Sequence, residues 1–239
     1  MSKHIVEAHA LVKTYFDAIE VPVLRGISLR IEPEEFLAIM GQSGSGKSTL
    51  LNILGCLDRP TSGTLVIDGQ DTADLADNQL AALRSTSIGF VFQSHLLLDE
   101  FSCLENALMP ILIAKGEIGR GDNERVVGLI ERVGLTPVMH RKPASMSGGE
   151  KQRCAIVRAL ANGPRLLLAD EPTGNLDSTN GKEIFSLLRE VSGATGAATV
   201  LVTHDDRLAL QADRVVSIRD GMIRDILEPS KAHLEAAPI

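Results

Sequence analysis

Nine residues, Gly41-Gln42-Ser43-Gly44-Ser45-Gly46-Lys47-Ser48-Thr49, narrow the possible folds more than any other segment of this chain. They follow directly from the apolar run at 36–40 and open a helical pattern at 47–56, which fits G-x-x-x-x-G-K-[ST] in a strand–loop–helix setting. In such a P-loop the glycines let successive backbone N–H groups turn toward phosphate oxygens, and the helix N-terminus adds partial positive charge. Lys47 can then reach β- and γ-phosphates, and the Ser48 hydroxyl can ligate Mg²⁺. A plain glycine turn before a helix is the alternative, but the full pattern arises by chance in on the order of 1% of such chains. A dinucleotide fingerprint is excluded, because Lys47-Ser48-Thr49 stands where the third glycine of G-x-G-x-x-G would be needed.

Composition removes several partner classes. The 239 residues carry 24 Lys+Arg against 31 Asp+Glu, a net charge of −7, which excludes a generic nucleic-acid clamp. Apolar stretches such as 107–114 are much shorter than the roughly 18 residues of a membrane span. The first residues meet Glu7 before any apolar core of a secretory signal forms, so the expected location is the cytoplasm. Cys56, Cys103 and Cys154 are odd in number and widely spaced, with no C-x-x-C pair; this pattern favours buried free thiols over a metal or disulfide role.

Strand patterns fall at 5–13, 24–31, 36–40, 64–67 and 88–92, around the helix at 47–56. From about 93 to 163 the periods turn helical, at 103–114, 123–133 and 148–160, as in a helical insertion. Strands return at 165–169 and 198–203 around a helix at 179–191, followed by strands at 214–218 and 222–226. The fold class expected is α/β, a P-loop core (about 1–92 and 164–229) with a mixed, mostly parallel sheet and a helical subdomain (about 93–163), ending in a mobile tail at 230–239.

Two further motifs carry chemistry. The run Leu166-Leu167-Leu168-Ala169 ends in Asp170-Glu171-Pro172, a buried strand delivering acid at its carboxyl edge. In a regular strand the two carboxylates point apart, but Pro172 ends the strand, so both can converge on a phosphate site. Asp170 would hold Mg²⁺ and Glu171 would polarise the attacking water; alone, the pair reads as a solvated strand edge. Ser147-Gly148-Gly149-Glu150 opens a helix with a serine cap and accessible N–H groups. By itself it is a capped helix; beside a P-loop it suggests a cradle for a nucleotide held by another copy of the chain.

The P-loop, Met146-Ser147-Gly148-Gly149-Glu150 and Leu167-Leu168-Ala169-Asp170-Glu171-Pro172, in this order, resemble the nucleotide-binding domain of an ABC transporter over residues 5–226. The resemblance implies an ATPase that uses ATP and Mg²⁺, works as a sandwich dimer with a second copy, and sits on the cytoplasmic membrane face beneath a separate permease. It implies that Tyr15 stacks on adenine and that Gln93 senses Mg²⁺ and the transport partner. It further implies that Asp177 lies in the D-loop and that His204 is the switch histidine near the γ-phosphate. Within the family, Gly174-Asn175-Leu176-Asp177 and Leu96-Leu97-Leu98 … Leu104-Glu105-Asn106 … Met109-Pro110 look like the lipoprotein-release and macrolide-export class. Met146 replaces the usual leucine and Asp99 the usual proline; the second departure bears on the substrate, the first conserves apolar volume.

Three rivals differ in testable features. A repair or translation ATPase of this class conflicts with the charge, the single P-loop and the lack of a coiled coil. A small-molecule kinase would lack Ser147-Gly148-Gly149-Glu150, while a cell-division ATPase of the class stays open. The apolar cluster Leu96, Leu97, Leu98, Phe101, Leu104 and 108–113 exceeds what a small subdomain core requires, and a groove there is expected to receive a cytoplasmic helix of the permease.

Overall fold

Runs of apolar residues too short for helices become strands buried on both faces, as in parallel sheets. A computed structural model describes residues 4–16 and 19–229. Its strands are β1 (Val6–Phe16), β2 (Glu20–Ile31), β3 (Phe36–Met40), β4 (Ser62–Ile67), β5 (Gln70–Asp71), β6 (Ile88–Phe92), β7 (Leu166–Asp170), β8 (Ala198–Val202), β9 (Arg214–Arg219) and β10 (Met222–Leu227). Its helices are α1 (Lys47–Leu54), α2 (Asp77–Ser87), α3 (Cys103–Lys115), α4 (Arg120–Arg132), α5 (Gly148–Leu160), α6 (Ser178–Thr195) and α7 (Asp206–Ala209). The chain forms two compact units, Met1–Ala76 with Ala198–Ile239, and Asp77–Ala197.

In the first unit β1 and β2 pair antiparallel from Val6↔Ile31, and β4 and β5 extend that sheet in the order β2-β1-β4-β5. On β2, Ile27, Leu29 and Ile31 are buried while Ser28 and Arg30 face out, the period of two expected of a half-covered strand. A second set of strands runs β10-β9-β3-β8, with β3 parallel to both β8 and β9 and β10 antiparallel at the edge. α1 buries Leu50, Leu51, Ile53 and Leu54. The continuous burial of Phe36, Leu37, Ala38 and Ile39 fixes the carboxyl end of β3, where the glycine-rich loop begins.

In the second unit β6 lies parallel to β7, with Phe92 opposite Asp170. The helices supply the rest of the core: Ala107 and Ile111 on α3, Val126 and Ile130 on α4, Ile156 and Leu160 on α5, Ile184, Phe185 and Leu188 on α6. Each set recurs at helical spacing, the stripe that a single buried face requires. α2 was not foreseen from the sequence, because only Leu80 and Leu83 are buried in it and the rest is polar or alanine. No helix among the described residues is long and apolar enough to cross a membrane. The expected tail at 230–239 lies outside the described residues.

Candidate nucleotide site

The loop after β3 turns back on itself before α1 starts. Gly46, the N-cap of α1, has φ 102, and an added Cβ would fall 2.8 Å from Leu24 Cδ2 and 3.1 Å from the Val23 carbonyl, so only glycine fits. No side chain caps this helix, which leaves its first N–H groups available to an anion. Lys47, only 8% exposed, donates to the carbonyls of Gly41 at 2.8 Å and Gln42 at 2.9 Å, uses that leave one N–H of its ammonium. The Ser45 hydroxyl is buried without a hydrogen-bond partner, which marks a polar lining built for a group outside the chain. Gln42, Ser43, Gly44 and Ser48 are exposed, and Thr49 is half-buried.

Parallel pairing of β3 with β8 places Ile39 opposite Val202, so Gly41 and His204 leave the sheet at the same carboxyl edge of the first unit. Thr203 N–H donates to the Ile39 carbonyl, and Asp205 N–H to Thr203 Oγ1 at 3.1 Å, which hold the exposed His204 between two fixed neighbours. Tyr15 is 40% exposed, its hydroxyl donates to Asp58 Oδ2 at 2.9 Å, and Lys13 Nζ lies 4.8 Å from its ring centre. Burial alone pushes the Asp58 carboxyl up, but the hydrogen bonds from Lys13, Tyr15 and Arg59 N–H outweigh it and hold the group below the usual carboxylate range. No motif marks Asp58, which lies 43 residues from the ring it orients.

In the second unit Asp170 is the last residue of β7, and Glu171 leaves the strand at φ 45. A non-glycine residue there is strained, and the strain is held by the turn in which Gly174 N–H donates to the Glu171 carbonyl at 2.9 Å. The strand therefore ends between the two carboxylates, as Pro172 suggested. Gln93 follows β6 at the same edge. Its Nε2 donates to Asn175 Oδ1 at 3.1 Å, while Asn175 Nδ2 donates to the Gln93 carbonyl at 3.0 Å. A Cβ on Gly174 would fall 2.7 Å from Gln93 Nε2, so this glycine lets the glutamine lie across the turn.

Ser147 caps α5 and forms a reciprocal capping box with Glu150, whose carboxylate accepts from Ser147 N–H at 2.7 Å. That backbone hydrogen bond holds Glu150 below the usual carboxylate range. Asp177 caps α6 and accepts from Thr179 and Asn180 N–H, both at 3.1 Å, which likewise keeps it acidic. The two caps are neighbours: added carbons on Gly148 and Gly149 would meet Leu176 Cδ2 at 3.6 Å and Asn180 Oδ1 at 3.7 Å. The structure thus groups Gly41 to Thr49 with His204 in one unit, and Gln93, Asp170, Glu171, Asp177 and Ser147 to Glu150 in the other.

The ABC transporter family model matches residues 24–174, from within β2 to the turn after β7. The chain belongs to the ABC transporter family. It is 49% identical over 86% of its length to the lipoprotein-releasing system ATP-binding protein LolD 1 of Rhodopseudomonas palustris, and covers 91% of that protein. It is 50% identical over 92% of its length to the macrolide export ATP-binding/permease protein MacB of Syntrophobacter fumaroxidans, but spans only 31% of it. A dimeric structure of the ATP-binding cassette MJ0796 in a post-hydrolysis state, bound to ADP and Pi, superposes with a TM-score of 0.85 at 38% identity, over 94% of this chain and 99% of that one. The chain is accordingly an ATPase cassette of the family, with the α/β fold expected.

In this ABC cassette the segment between Gln93 and α3 is the apolar cluster noted in the sequence. Leu96 is 56% exposed, Leu98 42% and Phe101 37%, and farther along the cluster Leu112 and Ile113 on α3 are exposed too, whereas Leu97 and Leu104 are half-buried and Leu108 and Ile111 are buried. Two residues to which motif reading gave no role fix its shape. Arg158 on α5 donates to the carbonyls of His95 and Leu96, holding both residues in left-handed conformations at φ 59 and φ 51. Asn106 on α3, wholly buried, accepts from Leu98 N–H at 2.8 Å and donates to the carbonyls of Leu98, Phe101 and Ser102, each at 3.0 Å. A charged residue inside the buried stripe of α5 was the available signal for Arg158.

Proposed function

We propose that this ATPase binds MgATP on its P-loop, closes on a second copy across Ser147 to Glu150, and drives a separate membrane permease of lipoprotein-release or macrolide-export type from the cytoplasmic face of the membrane. The observation that carries the reading is the pair Gly148 and Gly149. Side-chain carbons there would meet only ordinary contacts within the chain, so the fold itself does not require glycine. A helix start left bare of side chains suits a backbone approached from outside, by phosphates that another copy holds.

Lys47 and the uncapped first turn of α1 orient and neutralise the phosphates. Glu171 takes a proton from the attacking water, His204 holds the γ-phosphate, and Tyr15 stacks on the base. Ser48 and Asp170 offer hard oxygen donors of the kind Mg²⁺ takes, and the Gln93 amide, its nitrogen engaged by Asn175, keeps its oxygen for the ion. Bound there, Mg²⁺ supplies charge neutralisation on the phosphate oxygens. Asp177 places the second copy by capping α6 beside the Gly148 turn. The relatives named for lipoprotein release and macrolide export support this class of permease, and residues 93–163 are the subdomain we assign to its contact.

The test is Glu171→Gln with MgATP on a sizing column. The amide keeps the shape of the side chain and loses the base, so the variant should retain nucleotide and elute as a dimer only with MgATP. A nucleotide-loaded variant that stays monomeric refutes the sandwich.

A further inference from the structure

Cys103 is the first residue of α3, directly after its Ser102 cap, and Cys154 lies midway along α5. Both side chains are fully buried. They are 51 residues apart in sequence, yet the packing of α3 on α5 sets Cys154 against the first residue of α3: Cys154 Sγ donates to the Cys103 carbonyl at 3.5 Å. The pair is chemically unequal. The hydrogen bond from Cys154 draws the Cys103 thiol below its usual range despite burial, and the N-terminal turn of α3 favours a thiolate at the same place. Cys154, the donor, is pushed strongly up by Cys103 and by burial, with the Arg158 cation acting weakly the other way. A cysteine in the first turn of a helix with a second thiol packed against it is the arrangement that two-step thiol oxidation uses.

We propose that Cys103 and Cys154 form a thiol–disulfide site, oxidised by a hydroperoxide to an intramolecular disulfide. The Cys103 thiolate attacks a peroxide oxygen, the O–O bond breaks, and the departing alkoxide or hydroxide takes up the proton that Cys103 released. Cys103 is left as a sulfenic acid. The Cys154 sulfur then attacks the Cys103 sulfur, and the Cys154 proton leaves with the displaced hydroxide as water. Two thiols and one hydroperoxide give one disulfide, one water, and one further water or alcohol; the sulfurs lose the two electrons that the O–O bond gains. Because both sulfurs are buried, a small oxidant reaches them through transient opening of the first turn of α3. The bond pins that turn to α5. It thereby fixes the segment whose backbone Arg158 and Asn106 already hold, and whose Leu96, Leu98 and Phe101 are exposed.

The full chain is treated with hydrogen peroxide, remaining thiols are alkylated, and peptides are mapped without reduction. The expected product is a peptide pair joining Cys103 to Cys154, lighter by two hydrogen atoms and released by dithiothreitol. It forms equally in Cys56→Ala and is absent from Cys103→Ala and Cys154→Ala. Persistence of both thiols, oxidation to sulfinic or sulfonic acid without a link, or a link that forms only in denaturant overturns the proposal. Amide exchange over residues 95–106 slows in the oxidised protein; an unchanged rate overturns the pinning of α3.

Discussion

Asn106 lies buried beneath the loop whose exposed Leu98 and Phe101 belong to the surface that we assign to the permease, and replacing it tests whether that surface is built or incidental. Its side chain makes four hydrogen bonds to residues 98–102, all between 2.8 and 3.0 Å, from a position with no exposure. A net contribution of about 0.5–1.5 kcal/mol per bond puts the set near 4 kcal/mol. The freed carbonyls of exposed Leu98 and Phe101 regain water, which lowers the expected cost of Asn106→Ala to about 2–3 kcal/mol. For a chain of this size that corresponds to a fall in Tm of roughly 5–10 °C by calorimetry. Asn106→Asp is the sharper probe, since it keeps the acceptor for Leu98 N–H but turns a carboxylate toward three carbonyl oxygens. It should cost at least as much as alanine at neutral pH and recover part of the loss in acid, where the introduced carboxyl is protonated. Melting within 2 °C of the parent for both variants refutes the argument that this one amide shapes the loop.

Lys47→Ala should melt close to the parent while its ATP turnover falls to background, because the lysine's partners are loop carbonyls and the fold rests on the buried sheet; substantial turnover by the folded variant removes Lys47 from the site. Phe101→Asp, at an exposed position, should leave the basal ATPase of the isolated subunit unchanged and abolish co-purification with the permease, and undiminished recovery of the complex counts against the docking surface. Burial, with the nearby Lys151 cation, holds His95 below its usual value, so as pH falls below 6.5 the unfolded chain takes up this proton first and the folded state loses stability until His95 itself titrates. Urea titrations of His95→Gln between pH 7.5 and 5 should therefore show a shallower decline than the parent, and identical slopes would rule out the linkage.

The sequence alone determined the elements whose signals are local. Phe36–Met40, Ile88–Phe92 and Gly148–Leu160 are found at the limits read from it, because a continuous apolar run, a following glycine-rich loop and a Ser-x-x-Glu cap each act within a few residues. The same locality made Lys47, Ser147, Asp170 and Glu171 recognisable as one ordered set. Helix α2 escaped because two buried leucines give too weak a period to separate it from a polar loop. Only tertiary structure decided the rest. Gln93 meets Asn175 because β6 and β7 pair in parallel with Phe92 beside Asp170, a register that neither strand encodes by itself. Likewise, spacing gave no hint that Cys103 and Cys154 touch; the packing of α3 on α5 joins them. Contacts between residues far apart in sequence depend on how buried faces interlock, and that is set by the whole core at once.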